Sequence, residues 1–221
     1  PAAQRKEVAS LVEQVRPQLT GLGPHLILDD ELAWWRLPGF GVPDLEAFEL
    51  MVDGVFADPL PDHLVLDLRG NQGGFRTNGA AIVGHLVDEP FVQWTDARLQ
   101  VERLPRRLRK HASVPYGLPP ESIEGLLREG GTHQQTGDPL AERLQPRPPR
   151  YEGQVLVLID GLTESAAVEM VASLVRARPS VVLAGERTSG ACDRHRGEIP
   201  VVFTTPRLQI PVIVSLMDIG I

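Results

Sequence analysis

Two short stretches carry the residue types that acyl-transfer chemistry needs. In "VLIDGLTESAAVEMVASLV" (157–175) a buried strand runs through a tight turn into an amphipathic helix, and a serine at such a junction can act as a nucleophile. Thr163 or Glu164 would cap the helix, and Ala167, Met170, Val171 and Leu174 form its inward stripe. Residues 165 and 166 then fall in the first turn, where unbonded amides and the helix dipole favour an anion. In "LVLDLRGNQGG" (64–74) another strand ends in a glycine-rich turn whose amides could face a developing negative charge. A third strand, "VVLAGERTSG" (181–190), closes on a polar turn.

The elements that must hold these turns are strands alternating with helices. "ELAWWRLPGF" (31–40) reads as a strand stopped by Pro38 and Gly39, and "PDLEAFELMVDGVFAD" (43–58) as a helix capped by Asp44. "NGAAIVGHLV" (78–87) supplies the helix after the glycine turn, and later strands are expected at 154–159, 180–184, 199–204 and 210–216. Such alternation implies parallel crossover units and an α/β sheet. Ahead of it Val8, Leu11, Val12, Val15 and Leu19 predict a helical lead-in within residues 1–30, and the core is expected over 31–221. Residues 91–150, dense in Pro, Gly and Arg, read as an irregular excursion with one helix at Glu121–Arg128.

Composition removes several function classes. A formal charge of -7 argues against a general nucleic-acid binder, which relies on a basic surface. The single cysteine, Cys192, excludes an internal disulfide and any multi-cysteine metal site, so no metal or other cofactor is expected. The glycines lack both the dinucleotide spacing and the P-loop lysine. No apolar run reaches the roughly 18 residues of a membrane-spanning helix.

Taken in order, "DLRGNQGG", the serine turn and "GERTSG" resemble the tail-specific, or C-terminal processing, serine protease family. The resemblance implies a ClpP/crotonase-like spiral of ββα units with a mostly parallel sheet, a peptide or protein substrate, and an extracytoplasmic setting. The peptide-binding PDZ module common in that family has no counterpart in this chain. The family's Ser-Ala-x-Glu pattern falls on Ala166, Ala167, Val168 and Glu169, which puts alanine at the nucleophile position and implies an inactive chain. Ser165 would serve only after a one-residue slip, which turns a helical side chain by about 100°. By the same resemblance the oxyanion amides would be those of Gly73, Gly74 and Ala167.

The family's usual lysine base would fall at Ala191, and Lys6 and Lys110 are the only lysines, so the resemblance points to the histidine-type branch. His25, upstream of the core, and His195, after the third turn, are the candidate bases. His63 and His85 sit on apolar elements and read as structural. Three readings follow: a serine peptidase domain, a non-catalytic relative that binds peptides or apolar ligands, and an acyl-CoA enzyme on the same fold.

Overall fold

The computed structural model describes residues 25–28, 31–113, 123–128, 143–189 and 194–220. The expected lead-in helix lies outside them, as do His133, Ala191 and Cys192. The chain forms two compact units, one from residues 1–93 with 143–192 and the other from 94–142 with 193–221.

The first unit holds a five-stranded sheet in the order β1 (His25–Leu28), β2 (Leu32–Arg36), β3 (His63–Asp67), β6 (Gln154–Ile159), β7 (Val182–Gly185). β1 is antiparallel to β2, and the other four strands run parallel. Parallel neighbours need crossovers, and helices supply them: α1 (Leu45–Ala57), α2 (Arg76–Gly84) and α5 (Ala166–Ala177). α1 begins as its sequence predicts, because the Asp44 carboxylate accepts the Ala47 N–H at 3.0 Å.

Alternation along the strands separates core from surface. Ala33, Trp35, Leu64, Leu66, Val155 and Val157 are buried against Phe48, Met51 and Val52 of α1 and Met170 and Leu174 of α5. Each large side chain buried there stabilises the fold by about 1.5–3 kcal/mol. Because the four strands are parallel, the turns that follow β3 and β6 both emerge at the carboxyl edge of the sheet. Ligand sites of open α/β sheets lie at that edge.

The second unit is a four-stranded antiparallel sheet in the order β4 (Asp96–Leu99), β9 (Pro211–Gly220), β8 (Arg194–Thr204), β5 (Ala112–Ser113). Between β4 and β5 lies a single helical turn, α3 (Arg106–Arg109), and residues 123–128 form α4. Its core gathers Trp94, Leu104, Ile123, Leu127, Val201, Leu216 and Ile219. The helix expected near 121–128 is present, but residues 94–113 are more regular than an irregular excursion. Their strands are short and find partners only in β8 and β9, about a hundred residues later, so no local period marks them.

Candidate active site

The turn after β3 is built by its own polar side chains. Asp67, fully buried, accepts from Arg69 Nε and Nη2, each at 2.8 Å, and from the Arg69 amide at 3.2 Å. Burial works to raise the Asp67 pKa, but the Arg69 hydrogen bonds and charge outweigh it and hold the carboxyl below its usual range. Asn71 fixes the next bend, its Oδ1 accepting the Gly73 N–H at 2.8 Å and its Nδ2 donating to the Leu37 carbonyl at 2.9 Å.

Gly73 and Gly74 then take φ of +85° and +136°. The Phe40 N–H donates to the Gly73 carbonyl and the Phe75 N–H to the Phe40 carbonyl, both at 2.8 Å. That bridge turns the N–H of Gly74 itself away from Phe40. A Cβ on Gly74 would strike the Phe40 carbonyl, so only glycine fits. One on Gly73 would lie 2.7 Å from the Ser165 Cβ and 2.8 Å from the Ala166 nitrogen. The glycine turn and the start of α5 are therefore in direct contact.

The turn after β6 meets it from the other side. Ser165 sits at the junction with φ 53° and ψ −129°, a conformation that costs a non-glycine residue of order 1–3 kcal/mol. Its side chain makes no capping hydrogen bond and is half-buried. Ala166, 2% exposed, and Ala167, fully buried, belong to the hydrophobic core. A side chain at 166 thus points inward, whereas Ser165 sits against the glycine turn.

The amides expected to bind an oxyanion divide. The Gly73 N–H is held by Asn71, and the Ala167 N–H donates to the Glu164 carbonyl at 3.0 Å. Among the described residues the N–H groups of Gly74 and Ala166 have no acceptor. The third motif joins through Ser189, whose hydroxyl donates to Glu164 Oε1 at 2.8 Å, and through the Glu186 N–H, which donates to the Ile159 carbonyl at 3.1 Å.

The described histidines sort by position. His85 is fully buried, stacks on Phe56, and has both ring nitrogens engaged, Nδ1 with the Pro149 carbonyl at 2.8 Å and Nε2 with Asp53 at 2.9 Å. His63 opens β3, at the sheet edge opposite the two turns. The His25 backbone pairs with Arg36, and Arg36 with Asp67, which places it at the same carboxyl edge as the turns. The His195 backbone lies in β8 of the second unit. Among the described residues no group of acidic, histidine or cysteine side chains could hold a metal ion. No described helix is long and apolar enough to cross a membrane.

Sequence reasoning missed Asn71 and Asp160 as organisers of the two turns. The signal was available, since Asn and Asp ahead of glycine are the residues that bond their own backbone two positions on.

The sequence profile of peptidase family S41 matches residues 46–195, about two thirds of the chain. No curated protein sequence matches the chain. Among solved structures, mature CPAF is similar with a TM-score of 0.54 and 18% identity over 90% of this chain and 46% of that one. Mature CPAF complexed with lactacystin gives a TM-score of 0.54 and 17% identity over 90% of this chain and 46% of that chain. The photosystem II D1 C-terminal processing protease gives 0.45 and 15% identity over 93% of this chain and 38% of that one. The two CPAF likenesses support the α/β fold, and the chain spans about half the length of those structures.

Proposed function

The chain belongs to peptidase family S41, and on that premise we propose that it is the catalytic core of a serine peptidase whose nucleophile is Ser165. One observation carries this reading: the strained backbone of Ser165, at φ 53° on a sharp strand-to-helix turn, with a half-buried side chain that makes no capping bond. Nucleophilic serines are held in this way so that the hydroxyl stands clear of the helix it precedes. The alternative nucleophile position, Ala166, has its side chain in the core, where a serine hydroxyl would have no route to substrate.

In this mechanism Ser165 Oγ attacks the peptide carbonyl carbon and its proton passes to a histidine. The carbonyl oxygen, now negative, accepts from the Gly74 and Ala166 amides, and the dipole of α5 adds to their effect. Collapse expels the amine, which takes the proton from the histidine, and water then hydrolyses the acyl-enzyme. His25 is the base this reading favours. Its strand sits three places from β6, whose turn carries Ser165, about 14 Å across the sheet, at the same carboxyl edge. A non-catalytic binding module is favoured by alanine at 166 and by the absence of a lysine at 191, and a serine nucleophile at 165 with a histidine base answers both.

The test is turnover of a quenched-fluorescent peptide library by purified variants. Ser165→Ala and His25→Ala should each abolish cleavage, while His195→Ala retains it. Full cleavage by Ser165→Ala would end the proposal.

A further inference from the structure

Resting on that reading of the site, we propose that Asp160 is a positioning residue that sets the spacing between the glycine turn and the serine turn. The two amides assigned to the oxyanion belong to different β–α turns, and no covalent path shorter than ninety residues joins Gly74 to Ala166. Beyond the β3–β6 pairing and the packing of the glycine turn on α5, their separation is set by hydrogen bonds that cross between the turns. A misplacement of about 1 Å at such a site can cost about a hundredfold in rate.

Two of those crossings start at Asp160 and its partner Thr163. Asp160 Oδ1 accepts the Gly70 N–H at 2.9 Å, across the turns, and the Leu162 N–H at 3.0 Å within its own turn. The Thr163 hydroxyl, 3.2 Å from the same oxygen, accepts the Asp160 N–H at 3.0 Å and donates to the Leu68 carbonyl at 3.0 Å. Two further crossings run from the Glu164 N–H to the Asn71 carbonyl and from the Leu68 N–H to the Leu158 carbonyl, each at 2.9 Å. Gly70 is held at φ +74° with open space where a Cβ would be, and its N–H is tied to Asp160.

The carboxylate is equipped for this role. Burial works to raise its pKa, but the hydrogen bonds from Gly70, Leu162 and Thr163 outweigh burial and keep it below the ordinary value. It is ionised at neutral pH and accepts charge-assisted bonds, roughly twice as strong as neutral ones. Asp160 touches no reacting atom; it acts through the backbone it holds.

The experiment compares Asp160→Ala, which removes the acceptor, with Asp160→Asn, which leaves an oxygen in place. Amide hydrogen exchange and the rate of fluorophosphonate modification of Ser165 are measured on each full chain. Asp160→Ala should speed exchange at Gly70, Leu162 and Glu164, whose N–H crosses to the Asn71 carbonyl, by about tenfold or more, as loss of a bond worth about 1.5 kcal/mol requires. It should slow modification by about ten- to a hundredfold at unchanged half-saturation, and Asp160→Asn should stay within about threefold of the original rate. Unchanged exchange in Asp160→Ala overturns the proposal. So does altered exchange with Ser165 modified at its original rate, or an Asn variant as slow as Ala with the same loss of Tm. Should the unsubstituted chain take no label, the assignment of Ser165 fails by itself. Exchange at Gly70 and Glu164 then decides for or against Asp160.

Discussion

At the scale of single residues, the chemistry depends on which side chains leave the backbone free to act. Asn71 and Asp160 spend their oxygens on Gly73 and Gly70, and the amides of Gly74 and Ala166 are left without an acceptor among the described residues. Asp67 plays the supporting part, buried beneath the turn with Arg69 clasped across it. Its lowered pKa has a sign that can be checked. A carboxyl depressed by folding contributes stability above its unfolded pKa of about 3.9 and loses it as pH falls through the lower folded value. Asp67→Asn should cost about 1–2 kcal/mol in urea unfolding at pH 7, at the low end for a charged bond because Arg69 is 45% exposed. The gap to the unsubstituted chain should close below about pH 4; a gap independent of pH would contradict the assignment.

At the scale of elements, the site is the junction of two β–α turns side by side on a parallel sheet. The strands and helices that make it were legible in the sequence: Asp44 caps α1, and β3, β6 and α5 lie close to where periodicity placed them. The glycine turn was legible too, because Gly73 and Gly74 announce a positive φ. What the sequence did not disclose is direction. A one-residue ambiguity at the start of α5 separates a side chain in the core from one facing the turn, and pattern matching placed the nucleophile at 166. The core burial of Ala166 and the backbone strain at Ser165 together carry the proposal for 165, and strain of this kind leaves no compositional trace. Gly74→Val tests the geometry of this junction. Its Cβ would meet the Phe40 carbonyl, so the turn must move, and the catalytic constant should fall about a hundredfold or more, as when an oxyanion donor is lost. Gly125→Val, in α4 with open space around it, should leave the rate unchanged. Equal activity in the Gly74 variant would remove that amide from the mechanism.

At the scale of the whole molecule, the five-stranded sheet of the first unit carries the serine turn and the glycine turn on its parallel strands and the favoured base on its antiparallel edge strand. The second unit was the least legible part, since its sheet pairs β4 and β5 with strands about a hundred residues distant. Long-range pairing of short strands gives no local signal, and the prolines and arginines of that region suggested irregularity instead. The proposal for the first unit comes down to one claim, that the nucleophile is present in this chain and is the strained Ser165. Its most direct test is fluorophosphonate modification of the folded chain, followed by mass-spectrometric mapping of the modified residue, alongside Ser165→Ala and the double variant Ser165→Ala/Ala166→Ser. The account predicts one phosphonyl group on Ser165 and none on either variant. A folded chain that takes no label, or a double variant modified at residue 166, would contradict it.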